Sequence, residues 1–165
     1  MNIKLLLVGT SILTLSGCFN SDNELTLPDK NYPPSAIDAS FVTQTDMPIN
    51  GSVEGADPEN NMLVFALEQD ASNGMLTLNH DGSFTYTPSL EFTGADEFSF
   101  SVSDGKNPAV TGTATITVEM RQIKFSNLSR EAFSQSATDE PLRINGRVIT
   151  NDVEDPSAFD DLLLD

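Results

Sequence analysis

The side chains best suited to chemistry in this sequence are oxygen donors in turns. Asp57, Glu59, Asn60 and Asn61 crowd one short stretch. Asp96 opens an apolar run, Asp104 closes it, and Asp38 stands near the start of the same region. Hard divalent cations take about six to eight oxygen ligands, and carboxylates gathered in the loops of a β-domain can supply them. Asp57, Glu59, Asn61, Asp96 and Asp104 are therefore the candidate metal ligands, and Ca2+ is the one cofactor the sequence suggests. An EF-hand is excluded, because the sixth loop position counted from Asp57 is Met62, where the turn needs glycine.

Other chemistry is poorly served. His80, the only imidazole, stands beside an Asp-Gly pair and reads as an exposed turn residue rather than a general base. One His and one Cys can hardly make a zinc site or a Cys–His nucleophile. Carboxylates are numerous enough to pair for glycoside hydrolysis, but nothing singles out a pair. The chain is expected not to be an enzyme. Its 165 residues hold 25 Asp+Glu against 8 Lys+Arg, a formal net charge of −17. That balance excludes nucleic acid as partner, since phosphate binding needs clustered Lys and Arg. It equally disfavours charge-driven adsorption to anionic lipid.

The single cysteine has a different use. Lys4 precedes an apolar run from Leu5 to Leu15, too short to span a bilayer. The run ends in Leu15-Ser16-Gly17-Cys18, which resembles a bacterial lipobox. The resemblance implies a signal peptide over residues 1–17 and a lipid-modified Cys18 as the mature N-terminus. Phe19, where an inner-membrane retention signal would place Asp, favours the outer membrane. Residues 18–34 read as a tether, polar and closed by Tyr32-Pro33-Pro34.

Holding the acids in place requires a scaffold, and the periodicity supplies strands. Short β-runs are expected at Ala36–Thr43, Pro48–Val53, Met62–Leu67, Met75–Leu78, Ser83–Thr87, Glu97–Ser103 and Thr111–Val118. Phe98, Phe100 and Val102 alternate with Glu97, Ser99, Ser101 and Ser103; Ala114, Ile116 and Val118 alternate with threonines. Met62–Leu67 is apolar on both sides and reads as a central strand. Asp81-Gly82 marks a hairpin. About seven strands over residues 35–119 make an all-β, immunoglobulin-like sandwich, with a core of Phe65, Phe84, Tyr86, Phe92, Phe98 and Phe100.

Several ordered motifs sharpen this reading. Asn73-Gly74, Asp81-Gly82-Ser83-Phe84-Thr85-Tyr86-Thr87-Pro88, Phe92-Thr93-Gly94-Ala95-Asp96-Glu97-Phe98 and Val102-Ser103-Asp104-Gly105 lead into Ala114-Thr115-Ile116-Thr117-Val118. The set resembles the tandem-95, or bacterial cadherin-like, repeat of bacterial surface proteins and adhesins. The resemblance implies a cadherin-like sandwich used as an extender or adhesive module. Such repeats often carry an Asp-x-Asp-Gly-Asp-like loop where this chain has Asp57-Pro58-Glu59-Asn60-Asn61, a departure that removes carboxylates from the implied calcium site.

Residues 120–165 read as an irregular acidic tail or an incomplete second repeat, because Thr45–Val53 is echoed in Thr138–Val148. The functional expectation is a lipid-anchored envelope protein, fixed to the membrane through Cys18. Its single module would act in structure, adhesion or partner binding, with strand addition as the docking mode. The alternatives are a calcium-binding extender and, further off, a glycan-binding or carbohydrate-active protein.

Overall fold

The structure, a computed structural model, describes residues 30–162. Cys18, the signal peptide and most of the tether lie outside the described residues. Residues from Asn31 onward form one compact unit.

Among the described residues, the first extended stretch changes partners along its length. β1 (Ser35–Ile37) pairs antiparallel with β4 (Glu54–Ala56), and β2 (Ala39–Gln44) pairs parallel with β9 (Val110–Glu119). The switch falls at Asp38, whose carboxylate accepts the Thr113 amide at 2.8 Å. One expected strand is thus two, the expected Pro48–Val53 strand is β3 (Ile49–Ser52), and β4 is a further short strand beyond its expected end. The remaining sandwich strands are β5 (Val64–Gln69), β6 (Gly74–Leu78), β7 (Ser83–Pro88) and β8 (Gly94–Ser103).

Two sheets result, one ordered β2-β9-β8-β5 and the other β3-β7-β6. The alternation in β8 and β9 places Phe98, Phe100, Val102, Ala114 and Ile116 at zero exposure. Phe84 and Tyr86 of β7 meet them from the other sheet, and Phe84 stands edge-on to Phe98 with ring centroids 5.3 Å apart. Phe41 closes on the other side of Phe84 at 4.8 Å. The Asp81-Gly82 turn joins β6 to β7 as expected. Gly82 is needed there because its φ is +87° and a Cβ would meet the Val53 carbonyl at 2.6 Å.

β5 is not central. It is an edge of the four-stranded sheet, with Phe65 buried while Val64 and Leu67 are exposed, and Met62 lies outside it at 86% exposure. Two-sided apolar character indicates compatibility with a pleated strand; which face is covered depends on the opposing sheet.

The C-terminal region is more ordered than its composition suggests. β10 (Arg121–Lys124) leads into α1 (Phe125–Ser134), and β11 (Arg147–Thr150) returns to pair parallel with β10. A 3₁₀ segment, Pro156–Leu162, follows. Asp152 accepts both the amide and the hydroxyl of Ser126, satisfying the start of α1 in place of a local cap. Phe125 packs edge-on to Phe159, and Arg130 pairs with Asp161. Among the described residues of this region the expected irregularity is found mainly over residues 135–146 and 151–155, and neither β10 nor β11 joins a sandwich sheet. The hydrophobic pattern could not show this, since α1 contains no buried residue and is positioned by polar and aromatic contacts.

Candidate functional site

Strand register defines two ends of the sandwich. Val64 faces Ser103 and Val102 faces Val110, so the loops before β5 and after β8 share one end. Gln44 faces Glu119 and Gly94 faces Val118, which sets the loops after β2 and before β8 at the other.

Four of the five candidate metal ligands gather at the first end. Asp104 is buried and accepts the Asn107 amide (2.8 Å) and side chain (2.9 Å), the Lys106 amide (2.9 Å) and the Asn31 side chain (2.6 Å). These donors, led by the Asn107 amide, hold its carboxyl far below the ordinary range. Asp57 Oδ1 accepts the amides of Glu59 and Asn61 and the Asn61 side chain, an Asx-type turn that shapes the loop. Asn61 Nδ2 reaches Asn31 Oδ1 at 2.8 Å, and Glu59 accepts the Tyr32 amide at 2.9 Å. Lys106 Nζ donates to Asn61 Oδ1 (2.7 Å) and Asn31 Oδ1 (3.2 Å).

This arrangement fastens the incoming chain at Asn31 and Tyr32 to two loops, and it does not fit a calcium ion. The Asn31 and Asn61 carbonyl oxygens are occupied by the Lys106 ammonium, and the Asp104 carboxylate is filled by N–H donors. Asp57 Oδ2 is the one buried oxygen of the cluster without a partner. Among the described residues no three acidic, His or Cys side chains converge as an ion site. An ion needing about six oxygens would have to displace the lysine and most of these bonds. The melting midpoint in millimolar calcium is therefore expected to match that in excess EDTA, because only a ligand favouring the native state shifts it. A calcium-dependent rise in thermal scans would contradict this reading.

Asp96, the fifth candidate, belongs elsewhere. It is 6% exposed and accepts the amides of Ser72 (2.9 Å), Asn73 (2.8 Å) and Glu97 (3.0 Å), together with the Tyr86 hydroxyl at 2.8 Å. Burial pushes its carboxyl up, but these donors outweigh burial and hold it below its ordinary value. Burial and the neighbouring carboxylate push the Tyr86 phenol up. Asp96 thus clasps β7, β8 and the β5–β6 connection, a structural role that leaves no coordination position for a metal. His80 is exposed, and its carbonyl accepts the Phe65 amide.

The second end carries a junction absent from the sequence reading. Arg147 pairs with Asp46 at 3.2 Å, both side chains 15% exposed. Asp46 also accepts the Glu91 amide at 2.8 Å, and this bond first, then Arg147, holds its carboxyl low against the opposing effect of burial. Gly146, at φ +67°, sits where a Cβ would strike Thr45 at 2.7 Å, so glycine permits the close approach. Gly146 closes the echoed Ile-Asn-Gly motif, but the echo itself carries no sign of this contact.

Residues 31–120 match the family model described as the bacterial cadherin-like domain. The chain belongs to that family. No curated protein matches it in sequence. Among solved structures, the cadherin-like chain is similar to human Protocadherin-24 EC1-2, with 16% identity over 58% of this chain and a TM-score of 0.46. It spans about half of that protein, 52%. The human Desmocollin-1 ectodomain gives 16% identity, 55% of this chain, 24% of that one and a TM-score of 0.41. An endo-fucoidan hydrolase of glycoside hydrolase family 107 gives 22%, 56%, 17% and 0.40. The cadherin-like domain begins at Asn31, the residue that ties the incoming chain to Asp104 and Asn61, and it ends where β10 begins.

Proposed function

We propose that the protein is a lipid-anchored envelope protein whose cadherin-like domain bears tension in line between the membrane and an adhesive contact. The observation that carries this reading is the path of the chain. It enters beside Asp104 at one end and leaves after Glu119 at the other. β2 and β9 run parallel over the whole register from Ala39–Ala114 to Gln44–Glu119, extended by the Thr45 amide bond to Glu119. Pulling the two ends apart slides these strands past each other. All their hydrogen bonds are then loaded together rather than one after another.

Adhesive contact requires a surface for a partner. β5 is the edge of its sheet, and although the His80 carbonyl takes the Phe65 amide, the stretch beyond it, with Leu67 exposed, supports docking of a protein partner by strand addition. Anchoring rests on the lipobox at Cys18, since several acyl chains hold a protein stably where one does not. The membrane address favoured by Phe19 is the outer membrane. Detergent phase separation of cell extracts tests the anchor. The unaltered chain is expected in the detergent-rich phase and Cys18→Ser in the aqueous phase. Equal partitioning of the two would overturn the anchor.

A further inference from the structure

A cavity of about 490 Å³ lies between β10, the first turns of α1 and Arg147 of β11. Its walls gather Arg121, Lys124 and Arg147 against one acid, Glu131, in a chain whose net charge is −17. Arg121 and Lys124 form no ion pair among the described residues, despite the surplus of carboxylates. Asp152 lies close enough for Lys124 to lower its carboxyl, but its hydrogen bonds go to Ser126. Arg147 uses one terminal nitrogen for Asp46, while its Nε is buried with no acceptor. A buried guanidinium N–H without a partner is costly, and it leaves Asp46 as the one acceptor that offsets the Arg147 charge.

The rest of the lining narrows the chemistry. Gln122 and Asn127 present amides that both donate and accept, and Glu131 accepts. The volume falls within the range of small-molecule sites, about 300–1,000 Å³, and greatly exceeds what a bare oxyanion fills. We propose that this cavity binds a sugar acid, a hydroxylated ring bearing one carboxylate. The carboxylate would take the guanidinium and ammonium groups of Arg121, Lys124 and Arg147, and the amides and Glu131 would take the hydroxyls. The site uses residues 121–147, beyond the family-matched domain, and it does not depend on the tension-bearing reading.

Calorimetric titration of the full chain in detergent, with sodium glucuronate, glucose and inorganic sulfate as probes, tests the proposal. Saturable glucuronate binding is expected, weakening as salt rises, with glucose and sulfate both at least about tenfold weaker. Arg121→Gln/Lys124→Gln should reduce glucuronate affinity about tenfold or more at an unchanged melting midpoint. Arg147 is left intact because it also holds β11 to the sandwich. Absence of glucuronate binding, equal affinity for glucose or sulfate, or insensitivity to the double substitution would overturn the proposal. Salt-independent binding by the unaltered chain would do so without any variant.

Discussion

Asp96→Ala is expected to destabilise the domain by about 3–5 kcal/mol, enough to lower the melting midpoint by roughly 15–30 °C. The substitution strands the amides of Ser72, Asn73 and Glu97 and the Tyr86 hydroxyl in a site that is 6% exposed. The individual losses do not add fully, because water can enter the space left behind. Asp96→Asn does not rescue the site. Donors face both carboxylate oxygens, so either orientation of the new amide points its NH2 at an N–H.

The same carboxylate gives acid sensitivity with a defined sign. Its folded pKa lies below the model-compound value of 3.8. The stability it contributes is therefore fully present above about pH 4 and is lost as pH falls through the folded value. Acid unfolding of the unaltered chain should steepen below about pH 4, and Asp96→Asn should flatten part of that limb. Chemical denaturation across the acid range measures both effects.

Phe84→Ala is expected to cost a similar amount, about 3–5 kcal/mol. The ring is 2% exposed and lies between Phe41 and Phe98, so its loss opens a cavity at the point where the two sheets meet. Its place depends on Gly51, its partner across β3 and β7, where a Cβ would come within 2.6 Å of the ring. Gly51→Ala alone should destabilise by about 1–3 kcal/mol through this collision. In the Phe84→Ala background this collision is removed and only the 3.0 Å approach to the Phe41 ring remains, so the same change should cost clearly less. A double-mutant cycle by denaturant unfolding would show this coupling, and strict additivity would contradict the packing described.

The parity of β8 carried most of the legible information. Phe98, Phe100 and Val102 alternate inward as their spacing requires, and Asp96 and Asp104 share that parity. Both acids are buried, so the alternation already separated them from solvated surface acids. Tyr86 could have pointed to Asp96, since a core phenol needs an acceptor. The convergence of Asp57, Glu59, Asn61 and Asp104 at one end followed from ordinary sandwich connections. The intrusion of Lys106 among them did not, because a flexible side chain on an exposed loop leaves no periodic trace. The same limit applied to the C-terminal region. α1 is positioned by Asp152, Asp161 and Phe159, and β11 by Gly146 and Arg147. Such long-range polar contacts have no spacing to read.

Force spectroscopy with engineered attachment points tests the tension-bearing account most directly, using a Cys18→Ser background so that only the new cysteines react. Pro33→Cys/Met120→Cys would load β2 and β9 in shear, whereas Gln44→Cys/Glu119→Cys would peel the same register apart from one end. The account predicts a single rupture at clearly higher force for the first pair than for the second. Equal rupture forces, or a lower force in shear, would contradict it.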